Sequence, residues 1–144
     1  MLIGNYSSKL HAKGRTAIPK KFREELGSNL IITQGYEQCL MIVSSETWSQ
    51  LVDPNKPLVH DAARNTDRFL MANAFELEPD DQGRIIIPSS LIKYANLNEN
   101  IIYIGVGNRI EIWSETIWEN FSQYLNQNSA KIAQSLLKDK TQSQ

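Results

Sequence analysis

Lys13-Gly14-Arg15-Thr16-Ala17-Ile18-Pro19 and Gln82-Gly83-Arg84-Ile85-Ile86-Ile87-Pro88 carry one pattern, Gly-Arg-x-x-Ile-Pro, twice in a chain of 144 residues. The 69-residue offset from Gly14 to Gly83 also pairs Arg15 with Arg84, Ile18 with Ile87, Pro19 with Pro88 and Phe22 with Leu91. After one inserted residue the offset becomes 70, and Ile31 meets Ile101, Gly35 meets Gly105, Ile42 meets Ile112, Ser44 meets Ser114 and Trp48 meets Trp118. Two copies are too few for a solenoid, which needs at least three units to bury a continuous core. The reading is therefore a duplicated half-domain, two similar halves closing on one core.

Around each motif the pattern repeats as strand, turn, strand, helix, strand, strand, helix. In the first half, Gly4 to Leu10 is a strand, His11 to Gly14 a turn and Arg15 to Ile18 a return strand, so the motif is expected at the tip of a hairpin. Pro19 suits a helix start and Gly27 its stop, with Phe22 and Leu26 on one face. Leu30 to Thr33 reads as a buried strand by its β-branched content, and Cys39 to Val43 alternates enough to pair back as a strand. Ser44 can cap a helix whose Trp48 and Leu51 face inward. A Pro-rich break at residues 53 to 57 separates the halves, and Leu58 to about Asn73 reads as a linker helix with Leu58, Ala62, Phe69 and Ala72 inward. The second half repeats the plan. It ends in a helix carrying Ile117, Trp118, Phe121 and Leu125 at helical spacing, and fraying is expected from Lys138. The resulting units are residues 5–47, a linker at 52–73, residues 75–118, and a C-terminal helix and tail at 119–144.

Composition limits the function. With 41% apolar and 22% charged residues the chain suits an ordinary soluble domain, no apolar run reaches membrane-spanning length, and no secretory signal is visible, so a cytoplasmic protein is expected. A single cysteine, Cys39, offers neither an internal disulfide nor a metal cluster, and it reads as core. Two histidines, one cysteine and no Gly-rich phosphate loop leave no nucleophilic or metal chemistry to assemble, so no enzyme activity, cofactor or metal is expected. Asp80 and Asp81 could do acid–base work, but Arg84 lies within reach and an ion pair is the simpler role.

The formal net charge of −1 conceals a division. Residues 1 to 23 hold Lys9, Lys13, Arg15, Lys20, Lys21 and Arg23 with no acid, while the rest carries nine basic and 16 acidic side chains. A basic cluster on the repeat motif points to a polyanion, and a two-stranded ribbon bearing arginine can enter a DNA major groove, touch phosphates and read guanine. Charge alone leaves a merely solvated basic edge as the alternative; the cluster's place on the repeat motif favours a polyanion, and double-stranded DNA is the partner such a ribbon fits.

The residues Tyr6, Leu10, Lys13-Gly14-Arg15, Ile18-Pro19, Lys21-Phe22-Arg23 and Leu26, followed by Asp80, Gln82-Gly83-Arg84-Ile85, Ile87-Pro88, Leu91 and Ile110 to Trp113, together resemble the MraZ family of SpoVT/AbrB-like bacterial regulators. The resemblance implies a mainly β fold with short helices (α+β). In it two pseudo-symmetric half-domains form an AbrB-like swapped-hairpin, double-split β-barrel. It further implies a sequence-specific transcriptional regulator at the nucleoid, a ring-shaped homo-oligomer on short direct repeats in the promoter of the division and cell-wall gene cluster. The alternative is an antitoxin-like module that binds a partner protein through its C-terminal helix. In the family an Asp-x-x-x-Arg pattern serves DNA binding. Here the second half keeps it as Asp80 and Arg84, whereas His11 stands where the first half would have aspartate. The candidate DNA-binding residues are Lys9, His11, Lys13, Arg15, Lys20, Lys21, Arg23, Asp80 and Arg84. The first hairpin is expected to supply most of the phosphate attraction, and the second, held by Asp80, mainly structure or register.

Overall fold

In the computed structural model, which describes residues 1–53, 55 and 60–142, the chain order is β1 (Leu2–Lys9), β2 (Arg15–Ala17), α1 (Lys20–Leu26), β3 (Leu30–Gln34), β4 (Leu40–Ser44), α2 (Ser45–Leu51), α3 (Asp61–Met71), β5 (Phe75–Leu77), β6 (Arg84–Ile86), α4 (Ser89–Tyr94), β7 (Asn100–Gly107), β8 (Ile110–Ser114) and α5 (Glu115–Gln142). Six strands form one antiparallel sheet in the order β1-β7-β8-β4-β3-β5, and β2 and β6 form a separate two-stranded ribbon. This is the α+β, duplicated architecture expected from the repeat.

The halves are interlocked. β1 does not fold back on β2; it pairs along its whole length with β7 of the second half, Leu2 opposite Gly107 through Lys9 opposite Asn100. β5 likewise pairs with β3 of the first half. Apart from a bridge between His11 and Arg15, the hairpin read locally within each half is replaced by exchange between halves, the swapped-hairpin arrangement that the family resemblance implies. The register reveals the symmetry. In the ribbon Thr16 lies opposite Ile85, its own repeat equivalent, and in the sheet Met41 lies opposite Glu111, equivalent at the second offset. One pseudo-twofold axis thus passes through both.

The main core lies between one sheet face and the ribbon with α1 and α4, where Ile18, Phe22, Ile87 and Leu91 from the two motifs meet Ile32, Ile42, Tyr103 and Ile112. The sheet's other face is also covered. Ile31, Met41 and Val43 pack under Leu70 of α3 with Trp48 of α2, and Ile102, Ile104, Trp113 and buried Cys39 pack under Ile117, Trp118 and Phe121 of α5. Burial on both faces explains why β3 reads as an unbroken apolar run, and it corrects the alternation read in Cys39 to Val43, since Leu40 to Val43 of β4 are all buried. Ser44 caps α2 by accepting the Thr47 amide at 3.1 Å, as its type and position suggest.

Three helical expectations need correction. Leu51 is exposed at the end of α2, nearly a turn past Trp48. Ala62 and Ala72 are exposed while Leu70 is buried, so the inner face of α3 is set by Phe69 and Leu70; Leu58 lies outside the described residues. The last helix does not stop near Lys138 but runs unbroken for 28 residues to Gln142. Its packed part ends early, and Ile132, Leu136 and Leu137 are exposed.

One buried polar contact ties ribbon to sheet: the hydroxyls of Thr16 and Tyr103 lie 3.1 Å apart. Burial pushes the Tyr103 phenol well above its ordinary range, so it stays a neutral hydrogen-bonding group. Tyr103→Phe leaves the Thr16 hydroxyl without a partner, and the expected loss is about 1–2 kcal/mol. Thermal unfolding at unchanged secondary structure checks it, and a variant as stable as the parent would show that the hydroxyl pair is dispensable.

Candidate nucleic-acid interface

Both Gly-Arg turns place glycine at positive φ, +77° at Gly14 and +76° at Gly83. They are stitched to the opposite half. The amide of Ile87 donates to the Gly14 carbonyl and that of Ile18 to the Gly83 carbonyl, each at 2.8 Å. The following Ile-Pro step turns each chain into the helix that packs beneath the other half's turn, so Arg23 of α1 meets the Gln82–Gly83 turn and Ile92 of α4 meets Gly14. Repetition of the motif is thus the sequence trace of a reciprocal clasp.

Within the ribbon the side chains alternate. Thr16 and Ile85 point into the core, while Arg15, Ala17, Arg84 and Ile86 point outward. Arg15 sits opposite Ile86, and Arg84 opposite Ala17. The outward face opens into a groove shared with Ser8, Lys9 and His11 on one side and Glu76, Glu78 and Asp80 on the other.

The two arginines differ in their surroundings. Asp80 accepts the amides of Gln82 at 3.0 Å and Arg84 at 2.9 Å through one oxygen, and the Arg84 Nε at 2.5 Å through the other. His11 offers no comparable carboxylate, and among the described residues the Arg15 side chain is exposed and makes no hydrogen bond or ion pair. The Arg84 backbone amide and then its guanidinium hold the Asp80 carboxyl below the ordinary range. A depressed folded value means that this contribution is full above the unfolded pKa and is lost as pH falls through the folded one. Arg84→Ala removes only the guanidinium, so the Asp80 titration midpoint, followed by carboxyl NMR, is expected to rise part of the way toward the ordinary value. No rise would mean that the ion pair is absent in solution.

Of the nine candidate residues, the groove gathers Lys9, His11, Arg15, Asp80 and Arg84. Lys13 is exposed at the tip of the first turn, with φ +64°. Lys20 and Lys21 are exposed on the first turn of α1, outside the groove lining. Arg23 is half-buried and donates to the Gln82 carbonyl, so its guanidinium is engaged in the clasp. Lys9 reaches Asn100 on the paired strand. Ile86 is the feature that pattern reading passed over. It belongs to an apolar triplet, Ile85 to Ile87, yet is 61% exposed. The alternation of a ribbon covered on one face would have flagged it.

Two whole-length comparisons bear on this arrangement. A family model described as "MraZ protein, putative antitoxin-like" matches residues 1–69 and again residues 70–140. Proteins called transcriptional regulator MraZ are similar throughout. The protein from Caldanaerobacter subterraneus subsp. tengcongensis is 42% identical over 138 residues, 94% of this chain and 96% of that protein. Its counterpart from Alkaliphilus oremlandii is 44% identical over 135 residues, covering 92% and 94%. The one from Clostridium tetani is 46% identical over 124 residues, covering 85% and 87%.

Proposed function

The chain belongs to the MraZ family, and on that premise we propose that it is a sequence-specific DNA-binding transcriptional regulator, a binding protein and not an enzyme. The observation that carries the proposal is the outward ribbon face, on which Arg15 stands exposed beside Lys9 and without a partner among the described residues, while Arg84 is braced by Asp80. Such a ribbon has the width to enter a major groove, where lysines meet phosphates and arginine reaches guanine. Glu76 and Glu78 oppose phosphate on the far wall, so backbone contact is confined to the first-half side.

A single ribbon makes few contacts. A ring of identical subunits on evenly spaced promoter repeats raises the effective concentration of each successive ribbon, and avidity can then exceed single-site affinity by about 10² to 10⁴. This favours a homo-oligomer acting on direct repeats; the family resemblance adds the division and cell-wall gene cluster as target and the nucleoid as its place of work. A gel-shift series on the DNA upstream of the protein's own gene tests the reading. Affinity should depend on the number of repeats and fall steeply with salt, by about 0.9 in log–log slope per phosphate neutralised. Salt-independent or repeat-independent binding would refute it. The second reading, a module that binds a partner protein, is favoured by the exposed Ile132, Leu136 and Leu137 on the distal part of α5. It predicts that truncating that helix abolishes partner capture while DNA binding survives.

A further inference from the structure

The ribbon's outward face is not symmetric. The pseudo-twofold axis exchanges Arg15 with Arg84 and Ala17 with Ile86, so Arg15 has a large branched aliphatic side chain across from it and Arg84 has only a methyl group. Ile86 is 61% exposed between two core isoleucines, whereas its flanking neighbours Ile85 and Ile87 are buried. Its apolar surface contributes nothing to the core of the protein.

Resting on the DNA-binding reading, we infer that Ile86 is a specificity-determining residue that packs on the C5-methyl group of a thymine lying within one or two base steps of the guanine read by Arg15. The occupant follows from charge and register. Exposed Arg15 adjoins Ile86, Lys9 adds positive charge in the same groove, and a polyanion with apolar groups displayed between its phosphates suits that combination. In the major groove the thymine methyl is the apolar mark on a base edge, and apolar side chains are its natural contacts. Directly opposed residues in an antiparallel pair have Cβ atoms about 4.5–5.5 Å apart. Base pairs repeat every 3.4 Å or so along the duplex. A guanidinium on guanine therefore puts its cross-strand neighbour over the next base or the one after. At the other end of the ribbon Ala17 is too short to make the equivalent contact, and Arg84 is tied to Asp80. Each ribbon thus reads in one orientation, which gives direct and not inverted repeats a physical origin.

The test uses the full-length protein and duplexes of its own upstream DNA in which thymines are replaced one position at a time by deoxyuridine, a change that removes the methyl and keeps every hydrogen bond. Wild-type protein should lose about 3- to 5-fold in affinity per repeat at one thymine position, the value of a single buried methyl group. Ile86→Ser should bind the thymine and uracil duplexes equally, and Ile86→Val should retain most of the discrimination. Equal wild-type binding at every position overturns the inference while leaving DNA recognition intact, as does an Ile86→Ser variant that still discriminates. Dissociation of the oligomer by Ile86→Ser, with no uracil effect in the wild type, would also overturn it and assign Ile86 to a subunit contact. Failure of the wild type to bind either duplex would remove the DNA-binding reading itself.

Discussion

Replacing Gly14 with alanine is expected to cost about 2–5 kcal/mol, a large share of the roughly 5–15 kcal/mol by which a domain of this kind is stable. Two costs add. A non-glycine residue at φ +77° costs about 1–2 kcal/mol relative to its preferred conformations. The new Cβ also overlaps the Ile87 carbonyl oxygen, a backbone atom that cannot swing aside, so the ribbon must separate from the turn. That separation breaks the hydrogen bond from Ile87 to Gly14 and strands a buried pair, for about 1–3 kcal/mol more. Gly83→Ala makes a useful contrast, since its nearest neighbours are the flexible end of Arg23 and, at 2.9 Å, the Ile18 carbonyl. Arg23 can move, so the loss there should be smaller by about 1 kcal/mol or more. Urea denaturation of both variants decides the matter. A Gly14→Ala protein within about 1 kcal/mol of wild type would mean that the two turns are not clasped as described.

The second large effect concerns DNA. Arg15→Ala should weaken binding by about 10- to 100-fold per ribbon, the range of one lost bidentate contact to guanine, with the loss compounding across repeats. The fold should be untouched, because Arg15 is exposed and has no side-chain partner among the described residues. Arg84 requires a more careful comparison. Arg84→Ala alone leaves the Asp80 carboxylate uncompensated where a phosphate could pass, so a loss from that variant mixes two causes. Asp80→Asn combined with Arg84→Ala removes the pair together, and its affinity should stay within a few-fold of wild type. If the double variant fell as far as Arg15→Ala in a gel-shift titration, the two halves would contribute equally and the division of labour would be wrong.

Much of this was legible before any coordinates. Gly14 and Gly83 marked turns because only glycine takes that backbone conformation cheaply, and Ser44 marked a cap because its hydroxyl can satisfy an orphan amide. Asp80 and Arg84 were readable as a pair from their spacing around a turn. Other features were not. Arg23 looked like one more surface cation in a basic cluster, yet its guanidinium reaches a carbonyl 59 residues away. The inner face of α3 was misread because Ala62 and Ala72 fit the helical period, but period does not say which rim of a short helix meets the sheet. The exposure of Ile86 is not legible in the run Ile85 to Ile87, because composition alone cannot distinguish a strand covered on both faces from a ribbon covered on one.

What the sequence alone determined was the duplication, the identity of its turns and the asymmetry between His11 and Asp80, all of them properties of residue type and short-range spacing. The residues of each half did not contain the pairing: the family resemblance implied a hairpin exchange, and only the tertiary structure decided which strand pairs with which. Each half contains two short strands flanking a turn, and local rules pair neighbours, because closing a short loop costs least entropy. The chain instead exchanges partners, β1 with β7, β5 with β3 and β2 with β6. Only the assembled core rewards that choice, since it lets Ile18, Ile87, Phe22 and Leu91 bury one another across the axis. The same exchange sets Ile86 opposite Arg15, a juxtaposition of residues 71 positions apart that no local reading of either motif contains.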